Sequence, residues 1–329
     1  MGRRRAVALS LLLMIAGFAL SAVWGRYPEP GFSSPAVFRD DAVARALLWN
    51  LRLPRMVLSL MLGATLAAAG TVLQTVLGNP LVEPGLLGVS QGAAFGAALA
   101  ILIAGEAIWP IPLFATAFGL GGLGLSWFLA RRFRYGGSIL RLVLAGVVVS
   151  ALFSSGLGVL KYLADPRSQL PEITFWLMGG LSSADWPAVL RTAAPVSVCL
   201  VFLAARRWRI NLLSLDDRSA FALGSSPGRE RGVLVAAAVA AVAAVTAEAG
   251  IVSWVGLLVP HVSRRIAGAD TARALPLSML LGALFVLFCD DLARGLLTGE
   301  IPLGLITSLL GALTFAVLMT SGRRLVRGR

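Results

Sequence analysis

The chain has 329 residues, of which 57% are apolar and only 14% charged, with a mean hydropathy of +0.84. Soluble domains carry about 25% charged residues, so a water-soluble globular fold is excluded and a polytopic, all-α membrane protein is indicated. The net charge of +13 would point to nucleic acid in a soluble chain. Here the arginines fall in clusters between apolar runs, which is the positive-inside pattern, and nucleic acid is excluded as a partner.

Setting the arginine clusters on the cytoplasmic side predicts ten crossings with both termini inside. The clusters are residues 3–5, Arg131 to Arg134, Arg206 to Arg209, Arg229 with Arg231, Arg264 with Arg265, and residues 323–329. The first crossing, residues 6–24, exceeds a signal-peptide core and lacks a clear cleavage site, so it reads as a retained helix. A Pro- and Gly-rich external segment follows at 25–50, with a short surface helix expected at 42–49. The next crossings are 54–77, 86–104, 111–130 and 139–163. A second external stretch, DPRSQLPEITFWLMGGLSSADW, places Trp176 and Trp186 for the interface. The sixth crossing is 187–205, and the longest internal loop is 206–231. The last four crossings are 232–249, a short 251–262, 274–292 and 303–319. The whole reads as one transmembrane domain, 1–329.

The organising stretch is LRLPRMVLSLMLGATLAAAGTVLQTVLGNPLVEPGLLGVSQGAAFG, residues 51–96. Small residues at Gly63, Ala67 and Gly70 mark a helix-packing face. Asn79, Pro80, Pro84 and Gly85 then end the helix, and broken backbone at that depth is tolerated only where protein or water covers it. A second break carries GIVSWVGLLVPHVSRR, residues 250–265, and is followed by DDLARGLLTGEIPLGLITSLLGALTF, residues 290–315. The weak echo between the two breaks predicts that helices 2–5 and 7–10 are a duplicated unit.

These ordered motifs resemble the permease subunits of the iron-siderophore, haem and vitamin B12 (FecCD-type) class of ABC importers. The resemblance covers the chain after residue 50, with Trp254 where Phe is usual and Ala312-Leu313 where Gly-x-Pro is usual. It implies a fold like the vitamin B12 importer permease, a second permease copy, two ATP-binding cassette subunits and a periplasmic or lipoprotein substrate-binding protein. Cofactors are expected to be none in this chain, with ATP and Mg bound by the partner ATPase. The chain contains no Gly-x-x-x-x-Gly-Lys-Ser/Thr sequence to cradle phosphates. The expected location is the bacterial cytoplasmic membrane.

The topology leaves three arginines outside: Arg52, Arg55 and Arg294. The resemblance implies that they dock carboxylates of the binding protein through directional charge-assisted pairs; the alternative is snorkelling to lipid phosphates. Asp290 and Asp291 lie at helical spacing to pair with Arg294. Residues 216–224, with Asp216, Asp217, Arg218, Ala220, Phe221, Leu223 and Gly224, read as a short amphipathic helix. In the resembled family this loop seats in the ATPase; otherwise it is an ordinary solvated loop. Gln74, Asn79, Pro80, Glu83, Ser90 and Gln91 either line the pathway or stitch the break. The resemblance places an inner gate at Ile139 and Leu140, apolar in this chain. His261 is expected to end helix eight at the inner surface, and Glu248 to make a buried structural contact. Cys199 and Cys289 read as core residues.

An ion-coupled secondary transporter would need ionisable residues near the bilayer midplane. The acids and Lys161 fall near helix ends instead. A membrane-embedded enzyme would need a metal cluster or a nucleophile–base pair, for which one histidine offers little.

Overall fold

The structure is a computed structural model that describes residues 3–27, 29–104, 107, 109–297 and 299–321; side chains are described from residue 12 to 320. The arginine cluster at 323–329 lies outside the described residues, as do the side chains of residues 3–5.

In chain order, α1 (Arg3–Val23) leads into a two-residue hairpin, β1 (Trp24–Gly25) with β2 (Gly31–Phe32). Short helices α2 (Val37–Asp40) and α3 (Ala42–Leu47) follow. The separate surface helix expected at 42–49 is not separate: α3 runs through a π-turn, Leu48–Arg52, directly into α4 (Leu53–Val76). Pro54 has no N–H and cannot join the regular ladder, so the wider turn carries the helix past it.

A 3-10 turn, Pro84–Leu87, then precedes α5 (Val89–Ala104), followed by α6 (Pro110–Arg132) and α7 (Ser138–Leu163). The second external stretch contains a helix the sequence reading lacked, α8 (Gln169–Met178), before α9 (Trp186–Ala205). The internal loop folds into α10 (Arg207–Leu212) and α11 (Asp217–Ala222). Helix α12 (Pro227–Ala249) starts five residues before the expected Gly232, because Pro227 is preorganised for a first helical turn. The chain ends on α13 (Val255–Ala267), α14 (Thr271–Gly295) and α15 (Leu303–Ser321).

Seven of these helices are long and apolar enough to span a bilayer. The three remaining expected crossings correspond to α1, α5 and α13. At 1.5 Å per residue α5 is about 24 Å long and α13 about 20 Å, both short of a ~30 Å hydrocarbon core. Each follows a backbone break, and each break ends on a left-handed residue: Gly88 (φ 83°) and Trp254 (φ 73°). The packing is reciprocal between halves. Helix α4 lies on α13 and α14, and α12 lies on α5 and α6. The expected duplication of helices 2–5 and 7–10 is therefore visible in space.

Helices α4 and α14 run antiparallel in close backbone contact. The Cα of Gly63 packs on the Gly282 carbonyl, and Thr71 donates to Ser278 at 2.9 Å. Gly70 meets the carbonyl of Gly256 on α13. Small residues let dispersion and backbone packing do the work that apolar burial cannot do between helices in lipid. A methyl group at Gly70 would collide with that carbonyl, whereas one at Gly121 on α6 would project into open space. Gly70→Ala is thus expected to cost about 1–3 kcal/mol, and Gly121→Ala nothing, or to stabilise by up to ~1 kcal/mol. Denaturant unfolding of the detergent-solubilised proteins distinguishes them, and equal stability would contradict this packing.

Candidate functional site

The two breaks meet at the centre of the bundle. Gln74, buried near the end of α4, donates through Nε2 to the carbonyls of Val82 (3.3 Å), Gly256 (3.1 Å) and Leu257 (3.4 Å). Its Oε1 accepts from Arg264 on α13. Gln74 therefore stitches backbone of the first break to the first turn of α13. Glu83 lies in the first break and accepts the Trp254 N–H of the second at 2.7 Å. That bond holds the single non-glycine residue with positive φ among those described. Such a conformation costs about 1–3 kcal/mol and persists only where surroundings impose it. The Trp254 ring also packs edge-on against Phe315, and its Cβ fills the space left by Gly311.

A cavity of about 170 Å³ opens between the breaks, lined by Glu83, Ser90, Gln91, Thr246 and Ser253 among apolar neighbours. Of the residues proposed for the pathway, the fold brings Glu83, Ser90 and Gln91 together here. Asn79 and Pro80 lie in an exposed turn, where Asn79 Oδ1 accepts the Leu81 N–H at 2.9 Å. Ile139 lines a different cavity, and Leu140 is exposed beside it on α7. His261 does not end its helix. Pro260 and His261 sit inside α13, which continues to Ala267 and a Gly268 stop. Its Nδ1 lies 2.8 Å from the Leu257 carbonyl and its ring packs on Phe315.

At one end of the bundle, Arg52, Arg55 and Arg294 come together, but not as free guanidinium groups. Asp290 is fully buried and receives Arg55 through Nε (2.9 Å) and Nη2 (2.8 Å). Arg55 also pairs with Glu300. Arg294 lies 3.9 Å from Asp290, pairs with Asp291 and donates to the Ser21 carbonyl at 2.7 Å. Ser21 Oγ in turn donates to Asp291 at 2.6 Å. Arg52 donates to the carbonyls of Ala22 (3.1 Å) and Tyr27 (3.3 Å) and lies over the Phe38 ring. Side chains of Arg55 and Arg294 are only 13% and 12% exposed. The expected outward-facing triad is a part-buried network in which three arginines share their end with three carboxylates. Burial drives the change, because a desolvated guanidinium needs a partner.

At the other end Arg209 and Arg231 brace the segment formed by α10 and α11. Asp216 caps α11 by accepting the Ser219 N–H at 3.1 Å; the Ser219 hydroxyl first, and then that N–H, hold its carboxyl below the usual range. Asp217 takes Arg231 at 2.5 Å, and Arg209 donates to the Gly224 carbonyl at 3.3 Å. Ala220 is buried, Arg218 is exposed, and Gly224 (φ 79°) ends the segment. Phe221 and Leu223 stand out with 73% and 60% of their surface exposed. On the far side, Glu248 holds Arg191 at 3.1 Å; the contact is structural but not buried as expected, because the Arg191 side chain is 55% exposed. The Glu83–Trp254 clamp and α8 were missed; an acid inside one apolar break, opposite a second break, was the available signal.

The description of the FecCD transport family matches residues 8–321. The molybdate import system permease MolB of Haemophilus influenzae is 38% identical over 323 residues, covering 96% of this chain and 95% of that protein. The Fe(3+) dicitrate transport system permease FecC of Escherichia coli is 39% identical over 326 residues, covering 95% and 94%. A solved metal-chelate type ABC transporter in an inward-facing conformation superposes with a TM-score of 0.89 at 36% identity, over 97% of this chain and 99% of that one.

Asp290 is the fully buried acceptor of the network; without it Arg55 keeps only Glu300, and Arg294 keeps Asp291 and Ser21. Asp290→Ala is expected to destabilise the folded chain by about 1–3 kcal/mol, the cost of removing a buried charge-assisted acceptor. Glu300→Gln, at a partly exposed position, should stay within about 1 kcal/mol. Unfolding midpoints of the two purified variants test this, and a silent Asp290→Ala would dismiss the network as a structural element.

Proposed function

The chain belongs to the FecCD transport family, and from that footing we propose that it is the transmembrane permease subunit of a binding-protein-dependent ABC importer. Its cargo is a metal chelate or a metal oxyanion, in line with relatives named for ferric dicitrate and for molybdate. The chain forms the conduit and hydrolyses nothing; ATP with Mg is bound by a separate ATPase subunit. The arginine-rich end faces the cytosol of a bacterial cell, which puts both termini inside and the segments 25–50 and 165–186 outside.

The observation that carries this reading is the capped α11 with its unpartnered Phe221 and Leu223. An apolar knob on a helix anchored by Asp217–Arg231 and Arg209–Gly224 is suited to seat in a cleft of another protein. There it transmits motion to α12, the next helix along the chain. Two permease copies and two ATPases complete the assembly. The size of the central cavity supports pairing, since about 170 Å³ is well below the ~300–1,000 Å³ of ordinary ligand pockets. A chelate therefore passes between two copies, not through one. Leu140, exposed at the start of α7, then serves as an apolar inner constriction, while Ile139 lines the arginine-rich cavity beside it, and Glu83 and Ser90 set the geometry of the break behind it.

On the outer side the substrate-binding protein docks on the rim formed by the hairpin, the π-turn and the Glu300 loop. Arg52, Arg55 and Arg294 act there by holding the rim rigid and by exchanging partners with arriving carboxylates. The test is reconstitution of the chain with its ATPase and binding protein in proteoliposomes. Phe221→Asp is expected to abolish ATP-driven chelate uptake, or to release the ATPase, while the permease remains folded. Undiminished uptake by Phe221→Asp, or uphill uptake by the chain alone, would overturn the reading.

A further inference from the structure

We propose that the arginine-rich end carries a binding site for the phosphate headgroup of an anionic phospholipid, in the cavity between α6, α7 and α12. The cavity measures about 680 Å³, and Arg131, Arg141, Arg229 and Arg231 line it together with Trp127 and a wall of Ile139, Leu142, Val233 and Val235. Among the described residues no carboxylate lines it. The two nearest along the chain are occupied: Asp217 by Arg231 at 2.5 Å, and Glu230 by Arg209 at 3.3 Å.

Arg131 and Arg229 are exposed and have no acidic partner among the described residues. Arg141 uses Nη1 on the Phe133 carbonyl at 3.2 Å, but its buried Nε is unpaired, as is the Nε of Arg231. Positive charge is therefore concentrated beside donor groups that lack acceptors. The first turns of α7 (Ser138) and α12 (Gly228) also open on this space, adding the positive ends of two helix dipoles.

The lining is amphipathic in the sense a lipid requires. Guanidinium groups stand at the ends of membrane-spanning helices, where headgroups lie, and the apolar wall continues along the helices towards the hydrocarbon. Trp127 sits between the two zones, as tryptophan does at membrane interfaces. Basic pockets between helices on the cytoplasmic side recognise anionic headgroups in this way. A free nucleotide or inorganic phosphate would use the arginines and leave the apolar wall wet. Because Arg231 also donates to Asp217, a headgroup in the cavity touches the residue that anchors α11. The proposal needs the chain to span a bilayer and is independent of the cargo.

The test is native mass spectrometry of the full chain purified with its ATPase partner, stripped of lipid and titrated with phosphatidylglycerol or phosphatidylcholine. A third arm adds inorganic phosphate as competitor. One phosphatidylglycerol per chain is expected to bind at least about tenfold more tightly than phosphatidylcholine. Arg131→Ala and Arg229→Ala should each weaken it about fivefold. Neither side chain has a partner to lose, so folding is retained. Brominated phosphatidylglycerol should quench a component of the fluorescence that disappears in Trp127→Phe. Equal binding of the two lipids, or indifference to both arginine substitutions, overturns the proposal. So does complete displacement by millimolar phosphate, which would identify a simple anion site.

Discussion

A polypeptide that breaks its helices inside a membrane must satisfy the freed backbone groups with protein, because hydrocarbon offers no hydrogen bonds. Here that requirement falls on two side chains. Gln74 takes the Val82 carbonyl of the first break and the Gly256 and Leu257 carbonyls in the first turn of α13, and Glu83 accepts the N–H of Trp254 across the interface between the halves. The half-length helices α5 and α13 start from those breaks, and α4, with its glycine face, must lie close against α13 and α14 to bring them together. The clamp thus sets how near the two repeats approach and how large a cavity remains between them.

The same logic of desolvation governs the two ends of the bundle differently. At the α4–α14 end, arginines that a charge-topology rule marks as exceptional are drawn inward to Asp290, Asp291 and Glu300. Their charge is neutralised locally, and what faces outward is a braced rim. At the opposite end arginines are more numerous than acids. Some are consumed in anchoring α11 through Asp217 and Gly224, while Arg131 and Arg229 keep their charge at the cavity. That surplus distinguishes the two ends physically, and it lies at the same end as the exposed apolar residues Phe221 and Leu223.

Rigid and adaptable parts are therefore separated along the molecule. The α4–α12–α14 centre is closely packed through glycine and alanine, with backbone meeting backbone at Gly63 and Gly70. Helix α7, by contrast, leaves Leu140, Leu144, Val147 and Leu152 uncovered.

The sequence alone determined the helical class, the order of the apolar helices, and the position of the capped segment at 216–224. Apolar length, arginine clustering and cap residues are local properties that survive any arrangement of the helices. The motif at 51–96 likewise marked the break and its polar residues. Only the tertiary structure decided which of those residues do what. Whether Gln74 lines or stitches, whether Arg55 faces water or Asp290, and whether Ile139 shares a cavity with Glu83 or with Arg229 depend on contacts between segments far apart in the chain. The continuity of α3 with α4 across Pro54, and of α13 past His261, was hidden for a related reason. Proline reads as a terminator in one dimension, but a widened turn or an adjoining helix can carry the backbone through it.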